Sequence, residues 1–499
     1  MGSLLNPSLK QRNCIPSVKK KFPRYTAFLV NASARRNKLL KLIAIVCIAV
    51  TGLIIGLIWG RTPWLHTALE NHPWTEPLAW AWIFFLSLVL AELTWRIILA
   101  IRYRPVPDCS SWALPRCTVV VPAFNEGAQV YNTLKCLAAS HYPRKKLQLI
   151  AVDDGSQDDT WHWIKKAKQE LGSGLTAIQL HRNQGKRHAL YAGFKKSTGE
   201  ILVTVDSDSM VDPLTLRHLV APFVSDKRVG GVAGNVRVLN LDKGIIPRML
   251  EVAFVYSFDF IRAGQSVVNS VMCTPGALSA YRRDIVMKVL QEWLNQKYCG
   301  RSANIGEDRA MTNLILREGC HVLFQQNAMV HTDIPVNYSK LCKMYLRWAR
   351  SNVRETLAMS RFAFGRFRDG SMLGARINLL SSWLSLVKAP LILVLTVGVL
   401  PLDVVSTGVS LITGTLIFQS LPAGLYVWKY RNFNALWSYV YGFYWFACLF
   451  WIKPYALLTS HKSGWLTREL TVDPAPWAAG TAWPGARSTI RPAQAKECR

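Results

Sequence analysis

Acidic residues are scarce in this chain. Only 30 Asp and Glu stand against 60 Lys and Arg, a formal net charge of +30. Residues 1–41 hold ten Lys and Arg and no acid at all. So one-sided a balance calls for an anionic partner: nucleic acid, anionic lipid or an acidic ligand. No nucleic-acid reading module is present, and the basic residues cluster beside apolar runs, so nucleic acid is set aside. The 11 cysteines form no Cys-x-x-Cys pair or other metal-ligand spacing, which leaves them as reduced, structural thiols. There is no internal repeat. A cleavable signal peptide is not expected either, because the first apolar run follows a polar arm and is too long for a signal core.

Apolar residues are abundant but unevenly placed. Half the chain is hydrophobic and 19 residues are Trp. The basic arm (1–38) is followed by two apolar runs within 39–102, each long enough to cross a bilayer. The arm is expected on the cytoplasmic side, and the loop carrying Glu70 and Glu76 outside. Glu92 and Arg96 lie four apart in the second run, on one helical face, where they either pair or line a polar path. Residues 103–337 read as one soluble domain. Short β-rich runs at 117–121, 147–152, 175–180 and 201–205 alternate with helical stretches, the pattern of a doubly wound α/β sheet. Ligands of such sheets bind at the carboxyl ends of the strands. A basic amphipathic stretch occupies 338–370, three apolar runs fill 371–460, and a polar tail takes up 461–499. Two spans before the domain and three after it would put that basic tail outside. The last run, 433–458, is therefore expected to be interfacial or re-entrant.

Four acidic motifs fall at strand or helix ends. Pro122-Ala123-Phe124-Asn125-Glu126 follows the first strand. Asp153-Asp154-Gly155-Ser156 follows the second, and suits either hydrogen bonds to a ribose and base edge or an N-cap and turn. Asp206-Ser207-Asp208 closes the strand at 201–205. Alternate strand residues share a face, so both carboxylates can meet one hard cation, Mg²⁺ or Mn²⁺, bridging phosphate oxygens. Glu307-Asp308 opens a helix expected over 310–317, as a general base or as capping acids. On the amphipathic stretch Lys343, Arg347, Arg350 and Arg354 recur at helical spacing. That stripe fits anionic lipid headgroups or a diphosphate. Trp348 beside it offers a stacking face or an interfacial anchor.

Taken together, these motifs resemble the processive family-2 glycosyltransferases of GT-A fold, nearest to hyaluronan synthases and nodulation-type chitooligosaccharide synthases. The resemblance implies a mixed, mostly parallel α/β domain inserted between transmembrane helices. It implies nucleotide contacts at Pro122, Ala123, Asn125, Glu126, Asp153 and Asp154, and a metal on Asp206 and Asp208. A basic diphosphate contact is implied at Lys186 and at Arg347. The acceptor side would be formed by Cys273-Thr274-Pro275-Gly276 and Trp348, with Asp308, beside Glu307, as the base. Gly464-Trp465-Leu466-Thr467-Arg468 resembles a segment that closes over the nucleotide, through Trp465 and Arg468. Two departures stand out: Met344 replaces the Gln of the family's Q-x-x-R-W, and Thr274-Pro275-Gly276 reverses a Gly-Pro order. The implied protein is a multi-pass plasma- or inner-membrane enzyme with a cytoplasmic catalytic domain, a monomer or small homo-oligomer. It would move sugar from a UDP-sugar to a nascent β-linked polysaccharide, with UDP-GlcNAc the first choice of donor, UDP-glucuronate a possible second donor, and UDP-glucose left open. The rival readings are a single transfer to a polyprenyl-phosphate carrier and an inactive scaffold or export channel.

Overall fold

The computed structural model describes residues 75–399 and 404–462. The 39–60 run, Trp465 and Arg468 therefore lie outside the described residues. Strands β1 (Cys117–Ala123), β2 (Leu147–Asp153), β3 (Leu175–Gln179), β4 (Ile201–Val205), β5 (Ser209–Val211), β6 (Val229–Val238), β7 (Leu278–Arg282) and β8 (His321–Thr332) form one eight-stranded sheet. Its order is β3-β2-β1-β4-β7-β6-β8-β5. The β1–β2, β2–β3, β1–β4 and β6–β8 pairs are parallel, and β7 enters antiparallel between β4 and β6. β1 and β4 are buried at every position, as strands covered on both faces must be, which is why they read as unbroken apolar runs rather than alternating ones. β5 turns back at once after Asp208 and pairs with β8 through Ser209 and Thr332. That pairing pins the Asp206–Asp208 turn from both sides.

The helices are α1 (Thr75–Arg102), α2 (Gln129–Ala138), α3 (Thr160–Leu171), α4 (Lys186–Lys196), α5 (Thr215–Ser225), α6 (Ile245–Val255), α7 (Arg283–Leu294), α8 (Glu307–Arg317), α9 (Tyr338–Ala363), α10 (Leu373–Val399), α11 (Val404–Tyr430), α12 (Trp437–Tyr444) and α13 (Ile452–Leu458). α6 runs on through a π-helical turn, Tyr256–Arg262. Asn337 starts α9 by accepting the Lys340 amide on its side chain, a strong N-cap.

Among the described residues, Leu411–Tyr430 is long and apolar enough to cross a membrane, and a pair bent by 43°, Phe433–Leu449 with Ile452–Leu458, passes the same test as one broken span. That last run lies along α9. The Tyr345 and Tyr441 hydroxyls meet at 3.0 Å, and Tyr338 donates to the Cys448 carbonyl at 2.8 Å. Arg350 donates to Thr459 Oγ1, and Arg354 to the Ser460 and Lys462 carbonyls at 2.7 Å. The basic stripe expected on α9 thus divides. Lys343 is exposed, whereas Arg350 and Arg354 are buried and bind the chain's last described turn instead of lipid. Met344 is also buried, packed into the main core.

Candidate active site

The strand-end loops of β1 and β2 are built as one unit. Pro122 and Ala123 are buried strand residues, and the Ala123 carbonyl accepts the Asp154 amide at 2.8 Å. Asn125 adopts φ +53°. Its amide donates to Ser156 Oγ at 3.0 Å, and its Oδ1 accepts the Gln157 amide at 2.9 Å. The Glu126 amide donates to Thr160 Oγ1 at 2.8 Å. Asp153 accepts from the Ser156 amide and from Gln179 Nε2. Asp154 accepts the Gln184 and Gly185 amides at 3.0 and 2.8 Å. Of the two readings of this pair, the turn-forming one is therefore visible, and Asp154 sets the loop that delivers Lys186.

Lys186, in the first turn of α4, joins the acidic motifs. Its Nζ lies 2.5 Å from Asp206 Oδ1 and 3.2 Å from Glu307 Oε1. Burial alone would weaken its charge, but Asp206, Glu307 and Asp308 outweigh that and hold the ammonium above its ordinary pKa. Gly276 lies flat on this group, since a Cβ there would stand 2.5 Å from Lys186 Nζ. Asp208 is the more enclosed of the metal-motif pair. Burial and then the Asp206 charge push it up to about 6, against hydrogen bonds from Thr332 and Ser209 at 3.2 Å. No cluster of three His, Cys, Asp or Glu side chains able to hold a metal occurs among the described residues. Asp206 and Asp208 still fit a hard cation. Both offer carboxylate oxygens at one strand end, and a diphosphate and water can supply the remaining ligands.

Glu307 and Asp308 sit in the first turn of α8, three residues earlier than the helix expected from the sequence. Their environments push them apart. Glu307 is buried, yet Lys186, Arg347 and Arg187 overcome that cost and hold its carboxyl below the usual range. Asp308 is raised by burial and then by the Glu307 charge, with Lys186 and Arg347 opposing. Two adjacent carboxyl groups pushed in opposite directions make a candidate acid–base pair. Cys273, its thiol pushed up to about 12 by burial, donates to Asp308 Oδ2 at 3.6 Å. Thr274 is fully buried, bonded to Tyr281 and Thr312 at 2.8 Å, and Pro275 gives its carbonyl to Leu278 and Ser279. Of the acceptor loop, Cys273 and Gly276 are thus the residues that touch the acidic groups. Trp348, 38% exposed, follows Arg347 on α9 and stands edge-on to Tyr345 with ring centroids 5.6 Å apart. Lys186, Thr204, Gly276, Tyr281, Glu307 and Asp308 line one small cavity.

Residues 118–290 match the model of Glycosyl transferase family 2. An N-acetylglucosaminyltransferase of Azorhizobium caulinodans is 30% identical over 361 residues, 71% of this chain and 88% of that protein. The chain belongs to glycosyl transferase family 2. A hyaluronan synthase of Streptococcus pyogenes is 30% identical over 247 residues, 48% of this chain and 58% of its own length. A mannosyltransferase from Pyrobaculum calidifontis, solved with GDP-mannose and Mn²⁺, superposes with TM-score 0.50 at 20% identity, covering 72% of this chain and 98% of that one. That likeness establishes the GT-A fold. The resemblance stated from the motifs is thereby borne out at the level of the family.

Several residues of this glycosyltransferase's site were not singled out from the sequence. Thr332, far along the chain at the end of β8, holds Asp208. Arg262 donates to the Cys273 carbonyl at 3.2 Å; its signal is a charge closing an apolar helical run. Arg309 reaches Asn352 and Thr356, while Glu355 accepts Asn313 Nδ2 at 2.8 Å and Gln296 Nε2 at 2.9 Å, docking α8 onto α9. The raised Asp308 carboxyl predicts a pH profile. As the base that the family resemblance implies, it would act only when ionised, so kcat/KM at saturating Mn²⁺ should fall on the acid side above the ~3.9 of an ordinary aspartate. Removing the neighbouring charge in Glu307→Gln favours ionisation of Asp308, so the acid limb should move to lower pH. An unmoved limb in that variant, measured by UDP release, removes Asp308 from the role.

Proposed function

We propose that this protein is a membrane polysaccharide synthase that transfers sugar from a UDP-sugar to a growing β-linked polymer. N-acetylglucosamine is the first donor sugar and glucuronate a second. One observation carries the reading: Lys186 gathers Asp206, Glu307 and Asp308 around a single ammonium, with the Arg347 charge of α9 acting on the same carboxylates. The β1 and β2 loops would receive the nucleoside. Lys186 and Arg347 would bind the diphosphate and offset its charge as UDP leaves. Held by Asp206 and Asp208, a bound Mg²⁺ or Mn²⁺ would act as a Lewis acid on the diphosphate oxygens. Asp308 would take the proton of the acceptor hydroxyl, which attacks the anomeric carbon from the face opposite UDP and inverts its configuration. Trp348 would stack on the acceptor sugar.

In the same proposal α1, α10 and α11 cross the membrane, while the run holding α12 and α13 is interfacial or re-entrant, lying along α9. The test is to incubate purified protein with Mn²⁺ and UDP-GlcNAc, UDP-glucuronate or UDP-glucose, singly and in pairs, reading UDP release and product length. Long β-linked product supports the synthase. Label confined to solvent-extractable lipid favours the single-transfer alternative, and no release with any donor restores the inactive scaffold.

A further inference from the structure

Between α6, the end of α11 and the turn leading into α12 lies a cavity of about 370 Å³, within the ~300–1,000 Å³ of small-ligand sites. Leu241, Asp242, Arg248, Glu251, Tyr426 and Asn434 line it. The chain builds it just after β6. Leu241–Lys243 makes one helical turn, Gly244 at φ +147° breaks it, and α6 begins at Ile245. Arg248 and Glu251 are three apart on α6 and so share a face. Glu251 is 8% exposed, and its Oε2 accepts the Val238 amide at 3.0 Å. Arg248 donates from Nε to the Leu241 carbonyl at 3.4 Å, and its guanidinium carbon lies 5.7 Å from the centre of the Trp437 ring. Arg237 and Lys429, within electrostatic range of Glu251, are both held by Asp259. The charges that face the cavity are thus two carboxylates and one guanidinium.

That mixture disfavours a ligand of one sign. An anion meets Asp242 and Glu251, and a bare cation meets Arg248. A zwitterion satisfies both, with its ammonium on the carboxylates and its phosphate on the guanidinium. The surroundings indicate what such a headgroup is attached to. Tyr426 lies near the end of Leu411–Tyr430, the stretch long and apolar enough to cross a membrane. Tyr430 and Trp437 pack against the same cluster as Tyr426, the residue types that collect at a membrane–water boundary. Ile245, Phe433 and Leu436 are each more than half exposed, and each stands within three residues of a lining residue. A polar cavity with an apolar rim at the end of a spanning helix matches a phospholipid, its headgroup inside and its acyl chains along the rim.

We infer that this cavity binds the headgroup of an ethanolamine phospholipid, its primary ammonium on Glu251 and Asp242 and its phosphate on Arg248. A choline headgroup has no N–H to donate to the carboxylates, and a glycerol headgroup brings no positive charge to offset them. The inference rests on α11 spanning the membrane, as proposed above, and is independent of the sugar transferred. The test titrates full-length protein in detergent with dioleoyl phosphatidylethanolamine, phosphatidylcholine or phosphatidylglycerol and reads bound lipid by native mass spectrometry. One ethanolamine lipid should be retained about tenfold more tightly than either of the others, the order of one added charge-assisted hydrogen bond. Asp242→Asn with Glu251→Gln should abolish that preference. The Gln keeps an oxygen for the Val238 amide, and an unchanged UDP affinity should show that the variant is folded. Arg248→Gln should weaken retention of the ethanolamine lipid at least fivefold. Equal retention of the three lipids, tighter binding of phosphatidylglycerol, or a preference that survives the double substitution overturns the inference and leaves the synthase reading intact. So does binding of a β-linked GlcNAc tetramer that the double substitution removes, which would assign the cavity to sugar. A protein that stays monodisperse in buffer without detergent overturns the membrane placement of α11, and this inference with it.

Discussion

Asp308→Asn should lower kcat by about 10²–10⁴-fold, the range of general-base assistance, while UDP binding stays within a few-fold of wild type. The amide keeps the shape of the carboxylate and cannot accept the acceptor's proton. The Arg309 amide that bonds Asp308 Oδ1 at 2.7 Å retains an oxygen partner, so the first turn of α8 should hold its form. The proposed nucleoside contacts lie on other elements, at the ends of β1 and β2, and should not sense the change; Lys186 and Arg347, proposed to meet the diphosphate, do feel the Asp308 charge, which sets the few-fold allowance on UDP affinity. Single-turnover UDP release together with calorimetric UDP binding separates the two effects. Elongation near the wild-type rate would reassign the base.

Gly306→Ala should be nearly as damaging, by a different route. Gly306 is the N-cap of α8 at φ +80°, where a side chain costs about 1–2 kcal/mol. A Cβ there would stand 1.9 Å from Ser351 Oγ and 2.7 Å from Ser351 Cβ on α9. Nothing that close can be absorbed without separating the two helices, and overpacking of this kind adds roughly 1–3 kcal/mol. Both Arg347 and Asp308 would shift with it. The expected result is a lower Tm and at least a hundredfold loss of turnover. In the double variant Gly306→Ala with Ser351→Gly, the overlap is relieved and the backbone strain is not, so partial recovery of both readouts is expected. A single Gly306→Ala variant with unchanged Tm and turnover contradicts the close packing of α8 on α9.

How much of this was legible in the sequence depended on whether partners were near along the chain. β1, β2 and β4 were readable because burial on both faces makes them continuous apolar runs. β6 was not, since Gly230, Gly231, Gly234, Asn235 and Arg237 break any such run. β8 was hidden by Gln325, Gln326 and Asn327 at its centre, where pairing with β6 shifts register. Gln325 is nevertheless fully buried, its side-chain amide bonded to the Val106 and His218 carbonyls. The polar residues there substitute for ladder bonds lost at the irregularity. The acidic motifs could be picked out as candidates because adjacent or alternating carboxylates are conspicuous. What each one binds was not readable. Asp154 meets amides about thirty residues on, and the α9 arginines meet a helix end more than a hundred residues away. Spacing along one helix gave a stripe, and only tertiary packing could divide it into a site residue and two anchors.

Asp259, in the π-helical turn, is buried between Arg237 of β6 and Lys429 of α11, with Lys429 Nζ at 2.6 Å. It also accepts from Asn235 and Gln326, both at 3.0 Å. One carboxylate thereby rivets the end of a long apolar helix to the carboxyl edge of the catalytic sheet. Rotating or tilting that helix would strand two buried cations, a far greater penalty than sliding an apolar contact. With α11 spanning as proposed, a mismatch between its apolar length and the bilayer would press on its tilt and be felt at the catalytic sheet as a mechanical load.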